Sequence, residues 1–173
     1  ITACPDLSAE GRAALEAAAR PPIHLVSIGG DSRKIEVGNE VVMFRHEKTF
    51  YHPPGFVVRV KDTDPADQLS RFIDEVAGYS VERVGMELKL DGFAIENASN
   101  NGENFVKCVE LVKSKGDLPF VLMSNNLSVM DQALEKVASA KPLIYAATKE
   151  NCDQMVELAK KHRCPLVVRE PAG

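Results

Sequence analysis

Four cysteines, four histidines and a scatter of carboxylates are the side chains of this 173-residue chain whose chemistry could go beyond packing. Cys4, Cys108, Cys152 and Cys164 show no paired spacing, so neither a small disulfide framework nor a zinc-ribbon pattern is written into them. Cys108 and Cys152 fall among apolar residues at helical spacing, and Cys164 directly precedes an apolar run; all three read as buried structural thiols. Cys4 stands apart, in a Cys4-Pro5 pair ahead of an Ala-rich stretch. His46 and His52 flank EKTFY, with Arg45, Glu47 and Lys48 beside them. His and Glu are common zinc ligands, but the spacing is not a usual metal motif. The segment reads instead as a hydrogen-bonded, ion-paired loop or a subunit contact.

The elements that must position these groups follow from hydrophobic period and punctuation. Residues 6–20 (DLSAEGRAALEAAAR) predict a helix with Asp6 or Ser8 as N-cap and Pro21-Pro22 as its stop. Three apolar runs, Ile23–Ile28, Lys34–Val37 and Val41–Phe44, are divided by the turn pairs Gly29-Gly30 and Gly38-Asn39 and predict a small antiparallel β element. From Phe56 the pattern becomes strand and helix in alternation. Asp64 is the expected N-cap of a helix opened by Pro65 and ended before Gly78, with Leu69, Phe72, Ile73 and Val76 as its buried stripe. Strand-like runs at Val84–Leu90 and Phe93–Ile95 lie around Asp91-Gly92, the second being the sheet strand. Further strands are expected at Phe120–Met123, Leu143–Ala146 and Leu166–Val168. Helical stripes run through Phe105, Cys108, Val109 and Val112, then Leu127, Met130, Leu134 and Val137, then Met155, Leu158 and Ala159.

Short apolar strands joined by amphipathic helices imply parallel pairing, because each crossover needs a helix. The strand starts at Phe120, Leu143 and Leu166 are 23 residues apart, a compact unit that suits a (β/α) barrel or a doubly wound sheet equally. In a barrel, chemistry gathers at the C-terminal strand ends. The residues there are Lys61 and Asp62, Asn97 and Ser99, Ser124 with Asn125 and Asn126, Thr148, and Arg169 with Glu170. Ser124, Asn125, Asn126 and Thr148 read as helix N-caps. No nucleophile stands beside a base, and Gly29-Gly30 is a turn rather than a phosphate loop.

Composition excludes several classes. Hydrophobic residues make up 45% of the chain and aromatics 6%, with no Trp, so the core must be filled by Val, Leu, Ile, Ala and Met. A net charge of −4 offers no basic stripe for nucleic acid. No run approaches the roughly 18 apolar residues of a membrane span. Four unpaired cysteines fit a reducing cytoplasm. The chain starts at Ile1 and stops at Pro171-Ala172-Gly173, as an excised domain or an incomplete reading frame would.

The stretch VVMFRHEKTFYHPPG (41–55), followed by VLMSNN, KPLIYAATKEN and CPLVV, resembles the large subunit of the corrinoid iron-sulfur protein and its archaeal counterpart, the gamma subunit of the acetyl-CoA decarbonylase/synthase complex. The likeness runs from Cys4-Pro5 through Pro21-Pro22 to Val168. It implies a methyl carrier of the reductive acetyl-CoA pathway, built from an N-terminal 4Fe–4S domain, a central barrel and a C-terminal corrinoid domain. The resemblance thus favours an α/β fold that is a partial (β/α) TIM-type barrel with parallel strands, preceded by a short helix and a small antiparallel β element. Residues 1–22 would be the tail of the iron-sulfur domain and a linker helix, 23–55 a β element leading into the barrel, and 56–173 the first half of the barrel. A whole barrel takes roughly 250 residues.

By the same resemblance Cys4 matches the last of four cysteines that ligate the cluster. Its three companions would precede Ile1, so Cys4 is expected to be a free thiol here, and neither cluster nor corrinoid (cobalamin) to be held by this chain alone. The implied partners are the small subunit of the corrinoid protein, a methyl-pterin methyltransferase and acetyl-CoA synthase. The rivals are a stand-alone α/β ligand-binding module and a pterin-dependent barrel methyltransferase using Asp62, Asn97 and Asn125. An open edge at Leu166–Val168, and a barrel interior lined by Val58, Ile95, Leu122 and Ile144 or by their alternates, would make the isolated chain prone to self-association.

Overall fold

The computed structural model describes residues 7–30, 32–44, 46–49 and 51–170. The chain divides into two compact units, Ile1–Val26 with Glu36–Pro54, and Ser27–Ile35 with Gly55–Gly173.

In the first unit, helix α1 (Ala9–Ala19) is capped by Ser8, whose Oγ accepts a hydrogen bond from Gly11 N at 3.1 Å. None of its residues is buried. Strands β1 (Val26–Gly29) and β2 (Lys34–Val37), whose residues the division assigns partly to each unit, form a two-stranded sheet. The expected third strand at Val41–Phe44 does not form; in its place a single antiparallel bridge joins Ile23 and Glu40. The reason lies in burial: Val41, Met43 and Phe44 are all exposed, so their apolar run has no surface to cover. Gly38, at φ +90°, passes so close to His24 O that no Cβ would fit.

The second unit is built on a parallel sheet of β3 (Val57–Lys61), β6 (Gly92–Glu96), β7 (Phe120–Met123), β8 (Leu143–Ala147) and β9 (Leu166–Val168), in that spatial order. Helices α2 (Ala66–Ala77), α3 (Gly102–Ser114), α4 (Leu127–Val137) and α5 (Cys152–His162) connect these strands, and each touches the next along the sheet. Four helices touching in sequence form one layer on one face. Strands in sequential order have no point where the order reverses, which sets this sheet apart from a doubly wound one. The fold is α/β, and the arrangement is consistent with part of a (β/α) barrel.

Register fixes which side chains face the helices. Val58 and Val60 stand beside Phe93 and Ile95, which stand beside Phe120 and Leu122, and Leu122 beside Ile144. These side chains pack with the stripes of α2 to α5 in one core cluster. Of the two sets proposed for a barrel interior, the one named first therefore faces the helices. The alternates Arg59, Ala94, Glu96, Val121, Met123, Leu143 and Tyr145 line the other face. On α2, Leu69, Ile73 and Val76 are buried as expected, but Phe72 is exposed, lying at the side of the stripe rather than beneath it. Gly92 begins β6 against the carbonyl of Pro119, where a Cβ would collide with backbone. Asp131 ties α4 to α5, with Lys161 Nζ at 2.8 and 2.9 Å from its two oxygens and His162 Nε2 at 2.6 Å.

The run expected as one strand, Val84–Leu90, is instead half of a hairpin. Strand β4 (Ser80–Arg83) pairs antiparallel with β5 (Met86–Lys89) around Val84-Gly85, at φ +52° and +74°. The sequence contains no Asn-Gly or Asp-Gly signal at this turn, and Val84 made it read as strand.

Candidate functional site

The polar residues gathered at the C-terminal strand ends are placed by the loops that lead into the helices. After β3, Asp64 closes the turn instead of capping α2: its Oδ2 accepts from Lys61 N at 2.9 Å, and Pro65 is the cap residue. A proline at φ −58° is already set for the helix start, so the aspartate is displaced one residue upstream. Asp62 reaches across to the next loop. Its Oδ1 accepts from Ala98 N at 2.9 Å and Ser99 N at 2.8 Å, and its Oδ2 from Ser99 Oγ at 2.6 Å. Both oxygens are engaged in holding the β6–α3 loop.

The same logic recurs one strand on. Asn97 donates through Nδ2 to Ser124 Oγ at 3.0 Å, and Asn126 N donates to the same oxygen at 3.2 Å. Asn126 caps α4, its Oδ1 accepting from Ser128 N at 3.0 Å and Val129 N at 3.3 Å. Of the four residues expected to be caps, Asn126 alone is one. Ser124 positions it from behind, and Asn125 lines a cavity. Thr148 donates from N and Oγ1 to Asn151 Oδ1 at 2.7 and 3.2 Å. Two residues at these starts were missed from sequence. Asn101 caps α3 through Glu103 N and Asn104 N, and Asn151 precedes α5. The signal was available for Asn101: an Asn ahead of Gly-Glu, one turn before the buried Phe105.

These loops enclose a concavity of about 550 Å³ lined by Glu96, Asn97, Asn100, Met123, Ser124, Asn125, Asn126, Tyr145 and Arg169. A second, of about 400 Å³, shares Asn125 and Arg169 and adds Thr148, Lys149, Glu150 and Asn151. The structure thus brings Asn97, Ser124, Asn125, Asn126 and Arg169 to one hollow. Lys61 and Asp62 are not part of its lining, and Glu170 is an exposed residue beyond β9. Inside, Asn97 Oδ1 is buried with no hydrogen-bond partner. Glu96 Oε2 has none either, although Arg59 Nε lies 3.6 Å away as an ion-pair partner. Carboxamides, the Ser124 and Tyr145 hydroxyls, the Glu96 carboxylate and a guanidinium can bind and orient; they show no nucleophile hydrogen-bonded to a base.

The thiols are turned away from chemistry. Burial, with the carboxylates of Asp62 and Asp64 nearby, pushes the Cys108 thiol up to about 12. Burial alone pushes Cys164 up to about 11. Both are too weakly acidic to be nucleophiles or ready metal ligands. Cys152 is half-buried at the start of α5, more open than expected. Cys4 and Arg45 lie outside the described residues. The three described thiols do not fit a four-thiolate cluster: Cys108 Sγ is directed at Lys61 O, and Cys164 Sγ at His162 O and Ala138 O, in separate parts of the core. Among the described residues no group of three or more His, Cys, Asp or Glu side chains is assembled to hold a metal ion, and the larger hollow is lined by no His or Cys that could reach a cobalt.

In the first unit the 41–54 loop is a network of hydrogen bonds and stacked rings. Buried Glu40 accepts from Tyr51 N at 2.7 Å, and Glu47 from Phe44 N at 3.3 Å. His46 stacks on Phe44 at 5.6 Å, Lys48 Nζ lies 5.4 Å from the Tyr51 ring centre, and His52 Nδ1 is 3.8 Å from Glu36. The two histidines are bound up in different contacts.

A family profile described as CO dehydrogenase/acetyl-CoA synthase delta subunit matches residues 25–173. The corrinoid/iron-sulfur protein large subunit of Moorella thermoacetica is 36% identical over 168 residues, 97% of this chain and 38% of that protein. The acetyl-CoA decarbonylase/synthase complex subunit gamma of Methanothermobacter thermautotrophicus is 34% identical over 168 residues, 97% of this chain and 36% of that protein. Its namesake in Methanopyrus kandleri is 37% identical over 164 residues, 94% of this chain and 35% of that protein. The chain therefore spans between 35% and 38% of the length of these relatives.

Proposed function

The chain belongs to the CO dehydrogenase/acetyl-CoA synthase delta subunit family, and from that premise we propose that it is the scaffold part of a corrinoid iron-sulfur methyl carrier. In this reading the whole protein carries a methyl group from a methyl-pterin methyltransferase to acetyl-CoA synthase in the cytoplasm. A corrinoid supplies the methyl-carrying chemistry when bound, and a 4Fe–4S cluster, with Cys4 among its ligands, supplies electrons. Both cofactors sit outside the five-stranded sheet. Further strands close that sheet into a TIM-type barrel, with residues 1–22 as the tail of the iron-sulfur domain and a linker helix, 23–55 as the β element leading in and 56–173 as the barrel's first half.

The observation that carries this role is how the strand-end residues are used. Asp62, Ser99, Ser124 and Asn126 are engaged in holding loops and helix starts, and the buried thiols are driven out of reactive range. A rim engaged in this way suits a rigid support better than a reaction centre. The pterin-methyltransferase alternative in the form that used Asp62 is disfavoured, because Asp62 does not line the hollow that Asn97 and Asn125 share and both its oxygens accept hydrogen bonds from the β6–α3 loop.

The test uses a chain of the relatives' full length, purified without oxygen and assayed for iron, sulfide and corrinoid by absorption. Cys4→Ala is expected to lower the iron content while leaving the corrinoid in place. The 173-residue chain supplied with iron, sulfide and cobalamin is expected to bind neither. Stoichiometric corrinoid on the short chain, or methyl transfer from a pterin by it unaided, would overturn the proposal.

A further inference from the structure

Two acceptors in the larger hollow at the C-terminal strand ends lack a hydrogen. Asn97 donates to Ser124 through Nδ2, which leaves its Oδ1 buried and without a partner. Glu96 Oε2 is buried and equally without one. Arg59 Nε stands 3.6 Å from that oxygen, close enough to answer its charge but too far to hydrogen-bond it. A buried acceptor left unmade is costly, and native structures leave few of them. Both atoms therefore want an N–H donor rather than a further cation.

Strand register sets what lies beside them. Glu96 is the partner of Met123, and Met123 of Tyr145, so the three side chains form a row across β6, β7 and β8 on the face away from the helices. A thioether and a phenol ring offer a flat molecule an apolar wall. On the far side stands Arg169, just after β9, which lines both hollows. The second hollow adds Lys149 and lies at the start of α5. That helix has no side-chain cap, because Asn151 Oδ1 accepts from Thr148 instead, and an open N-terminus favours an anion. Among the described residues no hydrogen bond or ion pair engages the Arg169 guanidinium or the Lys149 ammonium. Glu150 shares that lining, so an anion there is held by these two cations rather than by a general positive field. Three strand spacings, about 14 Å, separate β6 from β9, less the reach of the two side chains. Hollows of about 550 and 400 Å³ are the size of small-molecule sites.

We propose that the adjoining hollows bind, unchanged, a small molecule made of an amino-substituted planar heterocycle and an anionic tail, with the amino group at Glu96 and Asn97, the ring on Met123 and Tyr145, and the tail at Arg169 and Lys149. An exocyclic amino group carries two hydrogens, one for each orphaned oxygen. Two natural sources share this chemistry: a purine nucleotide with a phosphate tail, and a pterin with a glutamate tail. Such a site is compatible with the scaffold role, and neither depends on the other.

The experiment titrates a chain of the relatives' full length by calorimetry, with adenosine 5′-monophosphate in one arm and folic acid in the other. At least one is expected to bind more tightly than about 1 mM, and the arm that binds identifies the source. Loss of the amino group (purine riboside 5′-monophosphate, or 2-deaminofolic acid) and loss of the tail (adenosine, or pteroic acid) are each expected to weaken binding about tenfold. Arg169→Ala is expected to weaken the tailed ligand by a similar factor and to leave the tailless one unchanged. Lys149→Ala gives the same reading in a smaller degree and serves if Arg169→Ala does not fold. Binding by neither probe overturns the proposal. So does affinity that is indifferent to the amino group, or that survives both substitutions together, since the ligand would then sit elsewhere.

Discussion

Strand β6 and the β4–β5 hairpin are neighbours in sequence and opposites in environment. Four of the five residues of β6 are buried, whereas all eight residues of β4 and β5 are exposed. β6 (GFAIE) is a continuous apolar run, as in a strand buried on both faces, whereas the hairpin segments SVER and MELK mix apolar with polar residues. The difference is that β6 has a parallel neighbour on each side and a helix layer over one face, while the hairpin has only its own two strands. Strand formation in this chain is therefore separable from core formation. One region stores stability, and the other displays an apolar stripe outward.

The largest expected effect breaks the core side of that comparison. Phe93 is wholly buried among the α2–α5 stripes. Phe93→Ala should cost about 3–5 kcal/mol by urea unfolding, through lost burial and the cavity left behind. Leu88→Ala on the hairpin, removing three carbons against six, should cost under about 1 kcal/mol in the 173-residue chain, less than the difference in size alone accounts for. Similar losses at both positions would mean that the hairpin packs on the core after all.

Next in size is the loop clamp. Asp62→Ala removes the acceptor of three hydrogen bonds, two from backbone N–H groups. A loss of about 2 kcal/mol is expected, because charge-assisted bonds carry more than neutral ones. Asp62→Asn, which keeps an acceptor oxygen, should recover part of it. Equal stability of wild type and Asp62→Ala would leave the β6–α3 loop without its proposed anchor.

A smaller effect depends on pH. The Lys161 ammonium, and after it His162, hold the Asp131 carboxyl below the ordinary aspartate value of 3.8. A depressed folded pKa adds stability above the unfolded value, and that stability is lost as pH falls through the folded one. Thermal melts of wild type and Asp131→Asn should therefore differ near neutrality and converge in acid below about pH 4. A gap that persists unchanged at pH 2 would mean that Asp131 acts through packing.

How much of this was legible in the sequence follows from where the signals are local. The strands at Phe120, Leu143 and Leu166 appear where the apolar runs placed them, and burial follows the expected stripes of α3 and α5 throughout and that of α4 at Met130, Leu134 and Val137, with Leu127 half-buried. Phe72 misled because an i+3 position at the side of a stripe is covered only if a neighbouring element reaches it. Val41–Phe44 misled because an apolar run says nothing of whether a partner strand exists. The polar rim was legible as a set of residues but not in its division of labour. Ser124 and Asn126 are equally good caps by type, and only the loop path decides that one caps while the other supports it. The two possible faces of the sheet were indistinguishable, since both alternates contain enough apolar residues to fill a core.

The smallest effect concerns the turn that hid the hairpin, and its sign is opposite. Val84 and Gly85 both have the positive φ that a two-residue type I′ turn requires. Glycine adopts it freely, but a β-branched valine is strained there, with its Cβ branches crowding the backbone. Nothing offsets this strain through packing, because the Val84 side chain is 92% exposed. Asparagine tolerates the left-handed region and makes the favoured Asn-Gly pair. Val84→Asn should thus stabilise the hairpin by about 1 kcal/mol, the scale of the left-handed penalty relieved. Amide exchange over residues 80–89 should slow about fivefold as local opening becomes rarer. The global melt should move by less than about 0.5 kcal/mol, because a ribbon held only by its own two strands is already open at the temperature where the parallel sheet unfolds. Slower exchange at Val84→Asn with an unchanged melt would separate the two regions energetically. A rise in both would show that they unfold as one unit.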